Sequence, residues 1–317
     1  MKIVFLDRKT IGDDIDLSAY EEFGEMIAYD FTTAEEAPER VREADILIVN
    51  KVPMNEKTLV GADKLRLICV TATGTNNLDK KYLAERGIEW RNVAGYSTEC
   101  VAQHTFAMLF YLWEHLPYYD AYVKDGRYVG DRVFSHFEAT FSELSGKQWG
   151  IIGLGAIGKR VAQIAECFGA NVQYATTSGK NHQSDYVEKD LDTLLHTSDI
   201  VSIHCPLTEE TENLIDEAAL SLMKKNAVLL NLARGPIVNE AALADALETG
   251  IIAAAGLDVL SEEPMAADNP LRRIQDSDKL LITPHIAWAG KETRERLMHT
   301  IYEQIAEFTE GHSQAAE

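Results

Sequence analysis

Four side chains able to do acid–base and anion chemistry stand just past short apolar runs of this 317-residue chain. Arg234 follows AVLLNL in NLARGPIVNE, and Asp258 ends the run in GLDVLSEEP. Glu263 precedes Pro264 in that same stretch, and His285 follows the last apolar run, in ITPHIAWAG. A guanidinium presents a planar fork suited to a carboxylate or a polarised carbonyl oxygen. An imidazole beside a carboxylate is favoured in its charged form and can pass a proton near neutral pH. Taken singly, each has a plainer explanation: a surface charge, a solvated loop acid, a satisfied histidine at a strand end. Repeated at the ends of successive apolar runs, they point to one site.

A second group is built for phosphate. Gly153, Gly155 and Gly158 form G-x-G-x-x-G directly after WGII, and the helix-compatible AIGKRVAQIAECFG follows. The first glycine permits a tight turn and the second lets the backbone approach a pyrophosphate. The third lets helix pack on strand, with the helix N-terminus facing the anion. A further strand beginning at Asn171 completes the context of a dinucleotide fingerprint. Residues 174–181, YATTSGKN, fall where many such proteins carry an acid, yet they hold neither Asp nor Glu.

Such residues need strands and helices to position them. Residues 2–7 (KIVFLD), 45–50 (DILIVN) and 66–71 (RLICVT) are apolar runs of strand length. Polar stretches of helical spacing lie between, at 34–43 and 55–64, so the alternation predicts a first α/β domain over residues 1–97. Residues 98–117 are apolar on nearly every face and end at Pro117, which predicts a helix buried between domains or subunits. Residues 118–146 are aromatic and irregular, the profile of an interaction segment. Six further strand-like runs, at 148–153, 171–176, 199–205, 227–232, 252–258 and 279–284, give the content of a dinucleotide-binding fold. In the last segment Leu297, Ile301, Ile305 and Phe308 share one helical face that can return to the first domain.

Composition is that of an ordinary folded domain pair: 46% apolar and 26% charged residues. A formal charge of −21 opposes nucleic acid or an anionic membrane as partner. The four cysteines are scattered without metal-ligand spacing, so reduced buried thiols, no metal and a cytoplasmic location are expected. MKIVFLD reads as a first strand and not as a signal peptide.

The set GLGAIG, HCPLTEET, NLARGPIVNE, GLDVLSEEP and TPHIAWAG, joined by TATGTNNLD (71–79) and NVAGYSTECVAQHT (92–105), resembles the D-isomer-specific 2-hydroxyacid dehydrogenase family. Its glyoxylate/hydroxypyruvate reductase and glycerate dehydrogenase branch is most similar. The resemblance implies an α/β fold of two doubly wound parallel-sheet domains with a cleft between. One is a Rossmann cofactor domain (98–287), and the other a flavodoxin-like substrate domain split across both termini (1–97 and 288–317). It implies that Arg234 binds the carboxylate and carbonyl oxygen of a 2-oxo acid. His285 then exchanges the proton, and Glu263 orients it. Thr73 and Gly74 receive the substrate carboxylate, and Trp288 is a pocket candidate that can equally be a packing residue. Cofactor contacts fall on Gly153, Gly155, Ala156, Ile157, Gly158, Cys205, Pro206, Ala233, Arg234 and Asp258, the last at the nicotinamide end. The relatives pair as homodimers through the cofactor domain and the region matching 118–146.

The activity implied is reversible NAD(P)H-dependent reduction of a small 2-oxo acid, of hydroxypyruvate/glyoxylate or pyruvate/phenylpyruvate type, to the D-2-hydroxy acid. Thr176 stands where NAD-preferring relatives place an Asp. With Thr177, Ser178 and Lys180 nearby, NADP use, alone or beside NAD, is favoured. Asn50, Lys51, Val52 and Tyr96 are further candidates for substrate selectivity. Two rivals share the fold. The formate dehydrogenase branch has Gln where Glu263 stands and a longer N-terminal region. The NADH-sensing corepressors carry extra tails. One departure from the family pattern is Gln103, where many relatives have Glu; neither it nor His104 is assigned a role from sequence.

Overall fold

The computed structural model describes residues 1–179, 182 and 185–314. The chain forms two compact units, Met1–Ser97 with Ala289–Glu317, and Thr98–Trp288. The first unit contains β1 (Lys2–Phe5), β2 (Glu25–Ala28), α1 (Ala37–Val41), β3 (Ile46–Val49), β4 (Leu67–Val70), α2 (Lys80–Glu85) and β5 (Glu89–Asn92). Its strands are all parallel, in the order β2-β1-β3-β4-β5. β3 and β4 are buried along their whole length, as strands covered on both faces must be. Asp7, just past β1, accepts the backbone N–H groups of Asn50 and Lys51 at 2.7–3.1 Å, which ties down the loop after β3.

The second unit runs α3 (Thr98–Trp113), α4 (Leu116–Lys124), β6 (Gln148–Ile152), α5 (Ala156–Cys167), β7 (Asn171–Ala175), β8 (Val187–Glu188), α6 (Leu191–Thr197), β9 (Ile200–Ile203), α7 (Glu217–Leu222), β10 (Val228–Asn231), α8 (Glu240–Thr249), β11 (Ala254–Leu257) and β12 (Leu280–Ile282). Its parallel sheet has the order β12-β11-β10-β9-β6-β7-β8. The order reverses between β6 and β9, and a crevice at such a switch point, beyond the carboxyl ends of the strands, receives ligands. Side chains alternate between the sheet's two cores: Val201, Ile203 and Leu229 enter one, Ile200, Val228 and Leu230 the other. The buried indole of Trp149 donates to Ser202 Oγ at 2.9 Å, so the polar hydroxyl in the second core is satisfied.

The chain ends in α9 (Lys291–Gln314), which belongs to the first unit. Leu297, Ile301, Ile305 and Phe308 are buried, and Tyr20 Oη donates to Met298 O at 2.6 Å.

Three local readings change. Residues 55–61 make turns instead of a helix: Thr58 Oγ1 donates to Pro53 O at 2.6 Å and Asn55 Oδ1 takes the Lys57 N–H at 3.0 Å. Side chains thus compete with the helical backbone pattern, and Gly61 leaves it at φ +76°. The helix expected over 98–117 stops at Trp113; His115 turns left-handed at φ +51°, and Pro117 lies in the first turn of α4, not at a helix end. The segment 118–146 is therefore partly helical, with a further 3-10 turn at Arg127–Gly130.

Candidate active site

Asp258 follows β11 directly and is 2% exposed. Its Oδ1 accepts from Thr283 Oγ1 at 2.6 Å and from the Ile286 N–H at 2.9 Å, and its Oδ2 accepts from the Ala287 N–H at 2.9 Å. Its carbonyl takes the His285 N–H at 2.9 Å. One residue thus holds the backbone N–H groups of His285, Ile286 and Ala287 and the side chain of Thr283. The grip has work to oppose: His285 sits at φ +55°, a region that costs a non-glycine residue about 1–3 kcal/mol.

The same turn presents the imidazole. His285 Nδ1 lies 2.7 Å from Glu263 Oε2, and Glu263 Oε1 accepts the Leu260 N–H at 2.9 Å. An ionised carboxylate only accepts, so Nδ1 carries the hydrogen of this bond and Nε2 is left to exchange a proton. The Glu263 loop is tied down from below by Glu240, in the first turn of α8. Glu240 accepts the Ser261 N–H at 2.6 Å and the Asn269 side chain at 2.7 Å.

Arg234 lies on the neighbouring turn after β10 and is exposed. Asn231, 1% exposed, shapes that turn: Nδ2 donates to Arg234 O at 3.0 Å and Oδ1 accepts the Ala233 N–H at 3.1 Å. Arg234 Nη1 donates to Ala233 O at 2.7 Å, and no carboxylate among the described residues pairs with it. Gly235 explains how the Arg234 turn and the Glu263 loop come together. A Cβ there would lie 1.9 Å from the Leu260 carbonyl carbon, so only glycine permits this approach.

The glycine loop separates into three physical roles. Gly153 is at φ +91°, and a Cβ would meet Cys205 at 2.7 Å. At Gly158 a Cβ would lie 2.4 Å from Gly153 O, where α5 packs on its strand. At Gly155 a Cβ would meet nothing within 4 Å. Its lack of a side chain therefore relieves no clash within the protein. α5 starts there with no side-chain cap and no acidic residue in its first turn, so the N–H groups around Ala156 and Ile157 are offered to an anion. An uncapped helix start behind an open glycine fits a pyrophosphate.

Thr176, Thr177 and Ser178 follow β7, with Thr176 and Thr177 half-buried and Ser178 exposed. Lys180 lies outside the described residues. His182, unremarked in sequence, reaches this loop: Nε2 is 3.1 Å from Gly179 O and Nδ1 is 2.7 Å from Glu188 Oε2, a partner that holds its pKa up. Cys205 is buried, its thiol pushed up to about 11 by that burial, whereas Pro206 is exposed. Ala233 is buried. Trp288 packs against the apolar cluster that contains Leu154 and Ala287. In the first unit, Thr73 Oγ1 donates to Val93 O at 3.0 Å, and Gly74 continues that loop after β4. Sequence reading missed Thr283, Asn231 and His104, whose Nε2 is 3.1 Å from Thr283 Oγ1. The only signal was their presence inside the quoted motifs TPH, NLARG and VAQHT.

The family profile described as "D-isomer specific 2-hydroxyacid dehydrogenase, NAD binding domain" matches residues 106–287. A hydroxypyruvate reductase of Blautia hydrogenotrophica is 38% identical, and the match covers 98% of each chain. Among solved structures, D-lactate dehydrogenase from Aquifex aeolicus, complexed with NAD and lactic acid, is 30% identical with a TM-score of 0.84. That match covers 98% of this chain and 96% of the other. An acyclic imino acid reductase (Bsp5), in complex with NADPH and D-Arg, is 29% identical with a TM-score of 0.85 and covers 98% of both.

The glycine geometry predicts opposite behaviour for two small substitutions. Gly155→Ala is expected to leave the melting temperature unchanged while weakening NAD(P)H binding by at least about tenfold, or about 1.4 kcal/mol. Gly158→Ala is expected to lower the melting temperature. Fluorescence titration and calorimetry read both, and full-strength binding by Gly155→Ala contradicts the assignment of the loop.

Proposed function

The chain belongs to the D-isomer-specific 2-hydroxyacid dehydrogenase family, and on that premise we propose which residues carry the reaction and which acids it serves. It is an NAD(P)-dependent oxidoreductase acting on 2-hydroxy acids. The observation that carries the mechanism is the 2.7 Å bond between His285 Nδ1 and Glu263 Oε2. With Nδ1 engaged, His285 Nε2 gives its proton to the carbonyl oxygen of the 2-oxo acid during reduction and takes it back during oxidation. Glu263 keeps the imidazole in that tautomer and orientation. Arg234, free of any internal carboxylate partner among the described residues, holds the substrate carboxylate and polarises the carbonyl. NAD(P)H supplies the hydride when bound, on the glycine loop and the first turn of α5.

For substrate we propose hydroxypyruvate or glyoxylate ahead of pyruvate and phenylpyruvate, which the 38% identity to a hydroxypyruvate reductase supports. For cofactor we propose NADP use, alone or beside NAD. The β7 loop offers the hydroxyls of Thr176, Thr177 and Ser178, with no carboxylate at residue 176 to repel a 2′-phosphate.

We further propose a homodimer in which the apolar side chains of the 118–146 segment meet a second copy. Val129, Phe134 and Phe137 are 87%, 91% and 78% exposed, more apolar surface than an isolated chain keeps without use. Four free cysteines fit a reducing, cytoplasmic compartment. A sedimentation mass matching a single 35.3 kDa chain contradicts the dimer.

The enzymatic test follows absorbance loss of NADH and NADPH against a panel of 2-oxo acids. His285→Ala is expected to lower kcat by at least about 100-fold; near-normal turnover removes His285 from the role. A KM for NADPH more than about tenfold above that for NADH contradicts the cofactor reading.

A further inference from the structure

We propose that His104 is a positioning residue for the proton carrier, acting through Thr283 and Asp258. The inference rests on the dehydrogenase reading of His285 but adds His104 and Thr283, to which that mechanism gives no contact with substrate or cofactor. His104 lies on α3, its side chain 21% exposed, with Nε2 3.1 Å from Thr283 Oγ1 and 3.7 Å from Asp258 Oδ1. Thr283 has one hydroxyl hydrogen, and the 2.6 Å contact to Asp258 Oδ1 uses it. Thr283 Oγ1 therefore accepts from His104, and His104 carries its hydrogen on Nε2.

The result is a directed chain. His104 donates to Thr283, Thr283 donates to Asp258, and Asp258 receives the N–H groups of Ile286 and Ala287. Hydrogen bonds in series polarise one another, so each link sharpens the next. The chain ends one residue past His285, whose backbone sits at φ +55° and does not hold that conformation by its own preference. Without His104, the Thr283 hydroxyl loses its donor, and the carboxylate loses one fixed neighbour on the side facing α3. The turn then samples other arrangements, and His285 spends less time aligned on Glu263. Gln103, the adjacent residue, is exposed on α3 and takes no part.

This scheme separates positioning from packing. His104→Ala is expected to lower kcat about tenfold with the KM for the 2-oxo acid and the Kd for NADH changed by no more than about twofold. His104→Gln, whose amide can donate to Thr283, is expected to regain most of that loss. Thr283→Val should match His104→Ala, and the double variant should be no slower than Thr283→Val alone, because the two act in series. Loss of melting temperature with kcat unchanged overturns the proposal, as does multiplication of the two losses in the double variant. A second readout does not depend on turnover. The His285 imidazole signal in NMR spectra of the free protein, assigned with His285→Gln, should shift in His104→Ala and return in His104→Gln. An unmoved signal overturns the proposal even if the wild type reduces no 2-oxo acid, a result that would by itself overturn only the activity.

Discussion

The carboxylate of Asp258 is 2% exposed, and the groups that satisfy it decide where His285, the histidine proposed to exchange the proton, stands. A charge withdrawn from water must be met by donors, and here they are a hydroxyl and two backbone N–H groups. Those two N–H groups belong to the residues immediately after His285, and the Asp258 carbonyl takes the N–H of His285 itself. Burying this one charge therefore fixes a strained turn. The turn in turn aims the imidazole at Glu263. Asp258 was expected to meet the nicotinamide end of the cofactor; its contacts within the protein are what the proposed catalytic geometry depends on.

A second constraint concerns sign. A chain with a formal charge of −21 has to receive an anionic dinucleotide and an anionic substrate. The proposed site meets them with local fields. The uncapped N-terminus of α5 supplies partial positive charge from backbone N–H groups, and Arg234 supplies one guanidinium that no described carboxylate neutralises. Both lie at the carboxyl ends of strands in the same parallel sheet, where helix starts converge by construction. The acidic surface elsewhere does not cancel these fields, because exposed charges are screened within about a Debye length of 8–10 Å.

The central strands were legible because buried parallel strands read as continuous apolar runs: ILIV, IVSI and VLLN are buried throughout. The edge strands β2, β5 and β8 were not recognised; EMIA and EWRN are half-exposed or polar and carry no such signal. Residues 55–64 had helical spacing, but Asn55 and Thr58 bond the local backbone, a competition that periodicity does not register. Of the site, Arg234, Glu263, His285 and the glycine loop were readable as chemistry at the ends of strands. Thr283 and His104 were not, since 179 residues separate them in sequence and only the fold brings α3 beside β12.

The account turns on whether Asp258 holds His285 in place. Asp258→Asn keeps the shape but exchanges an acceptor for a donor facing a backbone N–H. A crystal structure of this variant, with turnover measured on the same preparation, tests the claim directly. The account predicts that the 2.7 Å contact between His285 and Glu263 is lost and that kcat falls by at least about tenfold, 1.4 kcal/mol in the barrier. An intact contact with undiminished kcat would contradict it.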